Sequence, residues 1–146
     1  TTVSFAFEKI PWGKGQILKT GTTVAVLTLG PLTGVVETAL QQIDSPEAFG
    51  HFDLRFVKPL DETLLHHIFT HYKSLIIFEE GVKAGGAGSA ILEFAAANSY
   101  SVPVQLEGVP DRFISHGKTA KLQEELGWDT AAMIKKLSLL LNKTLG

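Results

Sequence analysis

Residues 23–29, Thr23-Val24-Ala25-Val26-Leu27-Thr28-Leu29, form an almost unbroken apolar run closed by Gly30-Pro31. This is the pattern of a strand covered on both faces, and it marks the centre of a sheet. The period then changes. Leu32, Val35, Val36, Ala39, Leu40 and Ile43 recur at helical spacing, and Thr33, Glu37, Thr38, Gln41 and Gln42 fill the opposite side. The alternation continues with a strand around 53–57, a helix over about 62–72, a strand over 74–78, a helix over about 86–97 and a strand over 102–106. Asp61 is placed to cap the second helix, whose apolar stripe is Leu64, Leu65, Ile68, Phe69 and Tyr72. Two closing helices follow. One covers about 119–126 and stops at Gly127; Asp129 caps the other, with Met133, Ile134, Leu137, Leu140 and Leu141 on one face. At the amino end, residues 16–19 read as a short edge strand that turns through Thr20-Gly21 into the central strand as a hairpin.

Alternating strands and helices require right-handed crossovers and parallel strands. The expected class is α/β: a three-layer, open, mostly parallel sheet with one antiparallel edge strand and helices on both faces. Sheets of this kind take ligands beyond the carboxyl ends of their strands, where the strand order reverses. No repeat, linker or low-complexity tract divides the sequence, so residues 1–146 are read as one domain.

Composition narrows the function. There are 13 basic and 15 acidic residues, and a formal charge of −2 does not suit a nucleic-acid binder. Cysteine is absent, which excludes thiolate catalysis, zinc–cysteine sites and disulfides. No apolar stretch approaches the roughly 18 residues of a membrane span, and no signal pattern opens the chain. A cytoplasmic location without membrane contact is expected. The chain starts Thr1-Thr2-Val3 and its only methionine is Met133, so it is read as either processed or cut from something longer, and a fragment is expected.

The densest candidate chemistry follows the third parallel strand. Glu79-Glu80-Gly81 leads through Val82-Lys83-Ala84 into Gly85-Gly86-Ala87-Gly88-Ser89 at a helix start. Exposed N–H groups there could receive an anion. The match to phosphate loops is poor, because Ala87 and Gly88 stand where Lys and Ser or Thr belong. Tight packing against another segment or domain is the favoured reading. Neighbouring strand residues point to opposite faces, so Glu79 and Glu80 cannot form a carboxylate dyad. His67 and His71 have the spacing of a helical metal pair but lie on the expected solvent side, away from the apolar stripe; His66 completes no motif with them. His51 is assigned to a polar turn. His116, in the loop beyond the fourth parallel strand, could move protons near neutral pH but has no neighbouring nucleophile in the sequence.

Several motifs in order carry the reading further: Gly13-Lys14-Gly15; Arg55-Phe56-Val57-Lys58-Pro59-Leu60-Asp61; Glu79-Glu80 with Gly85-Gly86-Ala87-Gly88-Ser89; Gly108-Val109-Pro110-Asp111-Arg112-Phe113-Ile114-Ser115-His116-Gly117; and Glu125-Leu126-Gly127. Together they resemble the carboxy-terminal, transketolase-type domain of the 1-deoxy-D-xylulose-5-phosphate synthase family, over nearly the whole chain. Lys118 departs from the Thr that often follows His-Gly there. The resemblance implies a homodimeric thiamine diphosphate and Mg2+ enzyme. It condenses pyruvate with glyceraldehyde 3-phosphate, releasing carbon dioxide, to supply isoprenoid, thiamine and pyridoxal synthesis. The family's Gly-Asp-Gly metal–diphosphate motif is missing, and no Gly-Asp pair occurs at all.

The resemblance therefore implies no catalytic, cofactor-binding or metal residue in this chain and no cofactor bound by it. It implies a domain that docks on the preceding domains of its own polypeptide and supports assembly. Glu79, Glu80, Gly85, Gly86, Gly88, Ser89 and His116 are the candidates for a domain interface or anion site. Two alternatives stay open: the corresponding domain of a 2-oxoacid dehydrogenase beta subunit, and an independent small-ligand-binding α/β module.

Overall fold

The computed structural model describes residues 11–82, 86–109 and 129–146. A five-stranded sheet has the order β1-β3-β2-β4-β5, where β1 is Gln16–Lys19, β2 Val24–Leu29, β3 Phe49–Asp53, β4 Ser74–Val82 and β5 Val104–Val109. The helices are α1 (Leu32–Gln42), α2 (Glu62–His71), α3 (Ala87–Ala97) and α4 (Thr130–Leu145), with a 3-10 turn at Pro46–Ala48. Strands β3, β2, β4 and β5 run parallel, and β1 is antiparallel to β3. This is the expected α/β class. The helix expected over 119–126 and the loop carrying His116 lie outside the described residues.

Alternation along β2 and β4 builds two cores. Val24, Val26, Ile76 and Phe78 face α1 and α4, meeting Leu32, Val36, Met133 and Leu137. Ala25, Leu27, Leu75 and Ile77 face α2 and α3, meeting Leu65, Ile68 and Ile91. Each large side chain so buried contributes about 1.5–3 kcal/mol against exposure, which is why the central run contains no strand-breaking residue.

The opening hairpin is not formed. β1 pairs with β3, Ile17 opposite Phe52 and Lys19 opposite His51, across a bulge. Long-range contacts override the short connection to β2. Lys19 Nζ donates to the carbonyl oxygens of Pro46 (2.5 Å) and Phe49 (2.7 Å). Gly21 passes so close to the Phe49–Gly50 backbone that a Cβ there would overlap it, and the Gly21 N–H donates to the Tyr72 hydroxyl at 3.0 Å. The chain thus crosses the start of β3 before entering the centre of the sheet. β3 itself spans Phe49–Asp53 rather than 53–57, because its inward residues are Phe49, His51 and Phe52 while Arg55 takes a positive φ of 58°.

Candidate functional site

β2 and β4 are parallel neighbours whose following helices, α1 and α3, leave to opposite faces, so the strand order reverses at their carboxyl ends. Leu29 and Glu79 are paired there. Glu79 is 7% exposed, and its carboxylate accepts the N–H groups of Ala87 (2.9 Å) and Gly88 (3.1 Å). The first N–H groups of a helix have no partner within it, and a carboxylate opposes the helix dipole as well. A side chain from the preceding strand therefore stands where an outside anion would bind.

The small residues follow from that arrangement. A Cβ on Gly86 would lie 2.5 Å from Glu79 Oε1, and one on Gly88 would lie 2.7 Å from Leu106 Cδ2. Ser89 sits in the first turn of α3, half-buried. Glu80 belongs to β4 by its backbone. Gly85 and His116 lie outside the described residues.

The histidines separate into distinct environments. His67 and His71 are exposed on α2 with ring centres 4.2 Å apart, and His71 Nδ1 donates to the His67 carbonyl at 2.8 Å. His66 Nδ1 meets the Tyr100 hydroxyl at 2.6 Å. Among the described residues no three His, Cys, Asp or Glu side chains gather as a metal site. His51 is not in a polar turn. It lies within β3, is 1% exposed, and its Nε2 is 2.9 Å from Thr28 Oγ1. Thr33 donates to that same Thr28 oxygen at 3.0 Å. The Thr28 hydroxyl, with one proton and two lone pairs, can serve a neutral His51 ring while it accepts from Thr33. Burial lowers the His51 pKa to about 4.

A second convergence joins two of the sequence motifs. Asp61 caps α2 through the Leu64 N–H (3.1 Å) and holds the Gly15 N–H at 3.0 Å. Gly13, at φ 69°, leaves no room for a Cβ, which would lie 2.7 Å from Pro59 Cγ. Only glycine combines that φ with that contact. Beside this junction Trp12 is 75% exposed and packs on Phe56 with ring centres 5.4 Å apart. A hollow of about 630 Å3 lined by Lys14, Val57, Lys58, Pro59 and Leu60 adjoins it. The sequence reading did not single out Trp12. The available signal was a large aromatic placed directly before a glycine motif and outside every amphipathic stripe.

Comparison with known proteins decides the family. The model for the transketolase C-terminal domain matches residues 13–133. The chain belongs to that family. A split-gene transketolase, solved as an inactive beta4 tetramer, superposes with a TM-score of 0.81 at 26% identity, over 96% of this chain and 47% of that one. The chain is also similar to 1-deoxy-D-xylulose-5-phosphate synthases. Identity is 40% over 132 residues with that of Bacteroides thetaiotaomicron, covering 89% of the chain and 20% of the relative. With the Phocaeicola vulgatus enzyme it is 42% over 132 residues, covering 89% and 21%. The chain therefore spans about a fifth of the length of the curated relatives it matches.

The sequence resemblance carries the expectation of thiamine diphosphate and Mg2+ in a longer parent. A metal-held diphosphate needs converging oxygen ligands. The described residues of this transketolase-type domain do not fit one: the buried carboxylate at the strand-order reversal is already bound to two N–H groups, and no donor cluster lies elsewhere among them. No reaction step is assigned to these residues.

Proposed function

We propose that this chain, 1–146, is the carboxy-terminal domain of a longer 1-deoxy-D-xylulose-5-phosphate synthase. The parent uses thiamine diphosphate and Mg2+ to condense pyruvate with glyceraldehyde 3-phosphate in the cytoplasm, as a homodimer. The observation that carries this reading is identity of 40–42% along nearly nine-tenths of the chain to synthases more than four times its length. Within the parent the domain is a scaffold. The cofactor and the reacting carbon are held by the preceding domains, and Glu80, Gly85, Ser89 and His116 belong to the side that meets them. Glu79, Gly86 and Gly88 support that side by fixing the start of α3.

The domain's own share is therefore structural, and an assay can separate the two. The 146-residue chain alone is expected to release no carbon dioxide from pyruvate and to give no calorimetric signal with micromolar thiamine diphosphate. The longer polypeptide is expected to do both. Turnover by the isolated chain, or a longer polypeptide that binds the cofactor but makes no 1-deoxy-D-xylulose 5-phosphate, would reverse the assignment.

A further inference from the structure

The residues first suspected of meeting other domains are largely engaged inside this one. Glu79 is hydrogen-bonded to α3, and Gly86 and Gly88 are closed over by Glu79 and Leu106. The most exposed large apolar side chain among the described residues lies elsewhere. Trp12 is 75% open to solvent and its ring leans on Phe56, so the two form one aromatic ridge. The ridge is held firmly. Arg55 anchors the Phe56 segment through Nη2 to Gln16 Oε1 at 2.5 Å and through its backbone N–H to Asp53 Oδ1 at 3.1 Å. Asp61 fixes the Gly13–Gly15 side through the Gly15 N–H. An adjoining hollow of about 630 Å3 sets Val57, Pro59 and Leu60 among the charged Lys14, Lys58 and Glu62. A solvated aromatic pair beside a hollow that mixes apolar and charged side chains has the composition of an interface centre with a polar rim.

We propose that this ridge and hollow are a further surface, in addition to the start of α3, on which the rest of the longer polypeptide docks, through a face that offers apolar side chains to the two rings. The proposal rests on the reading of the chain as part of a longer synthase. Two observations select this occupant over a second copy of the chain. Four-fifths of each matched relative lies outside the aligned region. Trp12 also immediately precedes the first residue of the family match, Gly13, where polypeptide from a preceding domain would arrive.

Trp12 and Trp128 are the only tryptophans of the 146 residues, so in the 146-residue chain a Trp128→Phe variant makes Trp12 the sole fluorescent reporter. Acrylamide quenching of Trp12 is measured in that chain and, as the difference between forms with Trp12 and with Trp12→Phe, in the longer polypeptide, both carrying Trp128→Phe. Quenching constants several-fold lower in the longer form, with emission shifted to the blue, are expected. In the longer form, Trp12→Ala with Phe56→Ala is expected to speed proteolytic cleavage between domains about tenfold, while the melting temperature of the isolated chain barely moves. Equal quenching in an active longer polypeptide would overturn the docking surface and leave the functional reading intact. Loss of quenching at raised concentrations of the isolated chain would point to a second copy instead and also overturn it. Should the intact protein contain no further polypeptide, both the reading and the docking surface fail.

Discussion

The Glu79 carboxylate satisfies two N–H donors that α3 cannot satisfy from within. Removing it strands those donors in a buried site, at about 1–3 kcal/mol for each. Glu79→Ala is expected to lose about 3 kcal/mol in urea unfolding, and Glu79→Gln, which keeps an acceptor oxygen, about half as much. Gly86→Val should match the alanine variant, because its Cβ falls 2.5 Å from Oε1 and must push the carboxylate off the helix. Full stability in all of these variants would show that water caps the helix equally well. His51 carries a pH signature. Its pKa falls from 6.5 to about 4 through burial, so the unfolded chain binds the proton more readily. The stabilisation by the neutral ring is complete above pH 6.5 and is lost as pH falls toward 4, by about 3 kcal/mol at the lower limit. His51→Gln keeps a partner for Thr28 without titrating. Its unfolding free energy should lack the slope of the parent between pH 6.5 and 5, and equal slopes would refute the assignment.

Among the elements, the caps permit a paired comparison. Among the described residues the Asp129 side chain accepts the Ala132 N–H, at 2.7 Å, whereas Asp61 accepts both Leu64 N–H on its own helix and Gly15 N–H from the far side of the sheet edge. Asp129→Ala is expected to cost about 1 kcal/mol, the ordinary value of a cap, and Asp61→Ala about twice that. Hydrogen exchange should quicken at Gly15 only in the second variant. Both caps were legible in the sequence, as were the central strand, all four described helices and the alternating class, because period and capping are local signals. The partner of β1 was not. Pairing with β3 depends on Lys19 reaching the Pro46 and Phe49 carbonyls and on Gly21 fitting over β3, contacts between residues 27 to 30 positions apart. The site was half legible for the same reason. Glycines and a glutamate stood out near a helix start, but their spacing could not say that the glutamate itself was the anion. His51 was misplaced because it follows Gly50 and stands just after the polar run Asp44-Ser45-Pro46-Glu47, which reads as a turn.

At the scale of the molecule, β2 and β4 are shared by both cores. Val24, Val26, Ile76 and Phe78 belong to one face, and Ala25, Leu27, Leu75 and Ile77 to the other. Neither layer of helices can lose its packing without exposing strands that the other layer also needs. The two faces should therefore unfold as one unit. Ile68→Ala on α2 and Leu137→Ala on α4 each remove a fully buried side chain, at about 2–5 kcal/mol. Each substitution is expected to lower hydrogen-exchange protection equally in α1 and in α2, and to leave one coincident transition in far- and near-ultraviolet circular dichroism. A scaffold built to receive other domains at its rim benefits from this coupling, since strain at one edge is opposed by the whole sheet. If Ile68→Ala loosened only α2 and α3 while α1 and α4 kept their protection, the two layers would be separate units, and the domain could not act as a single rigid support.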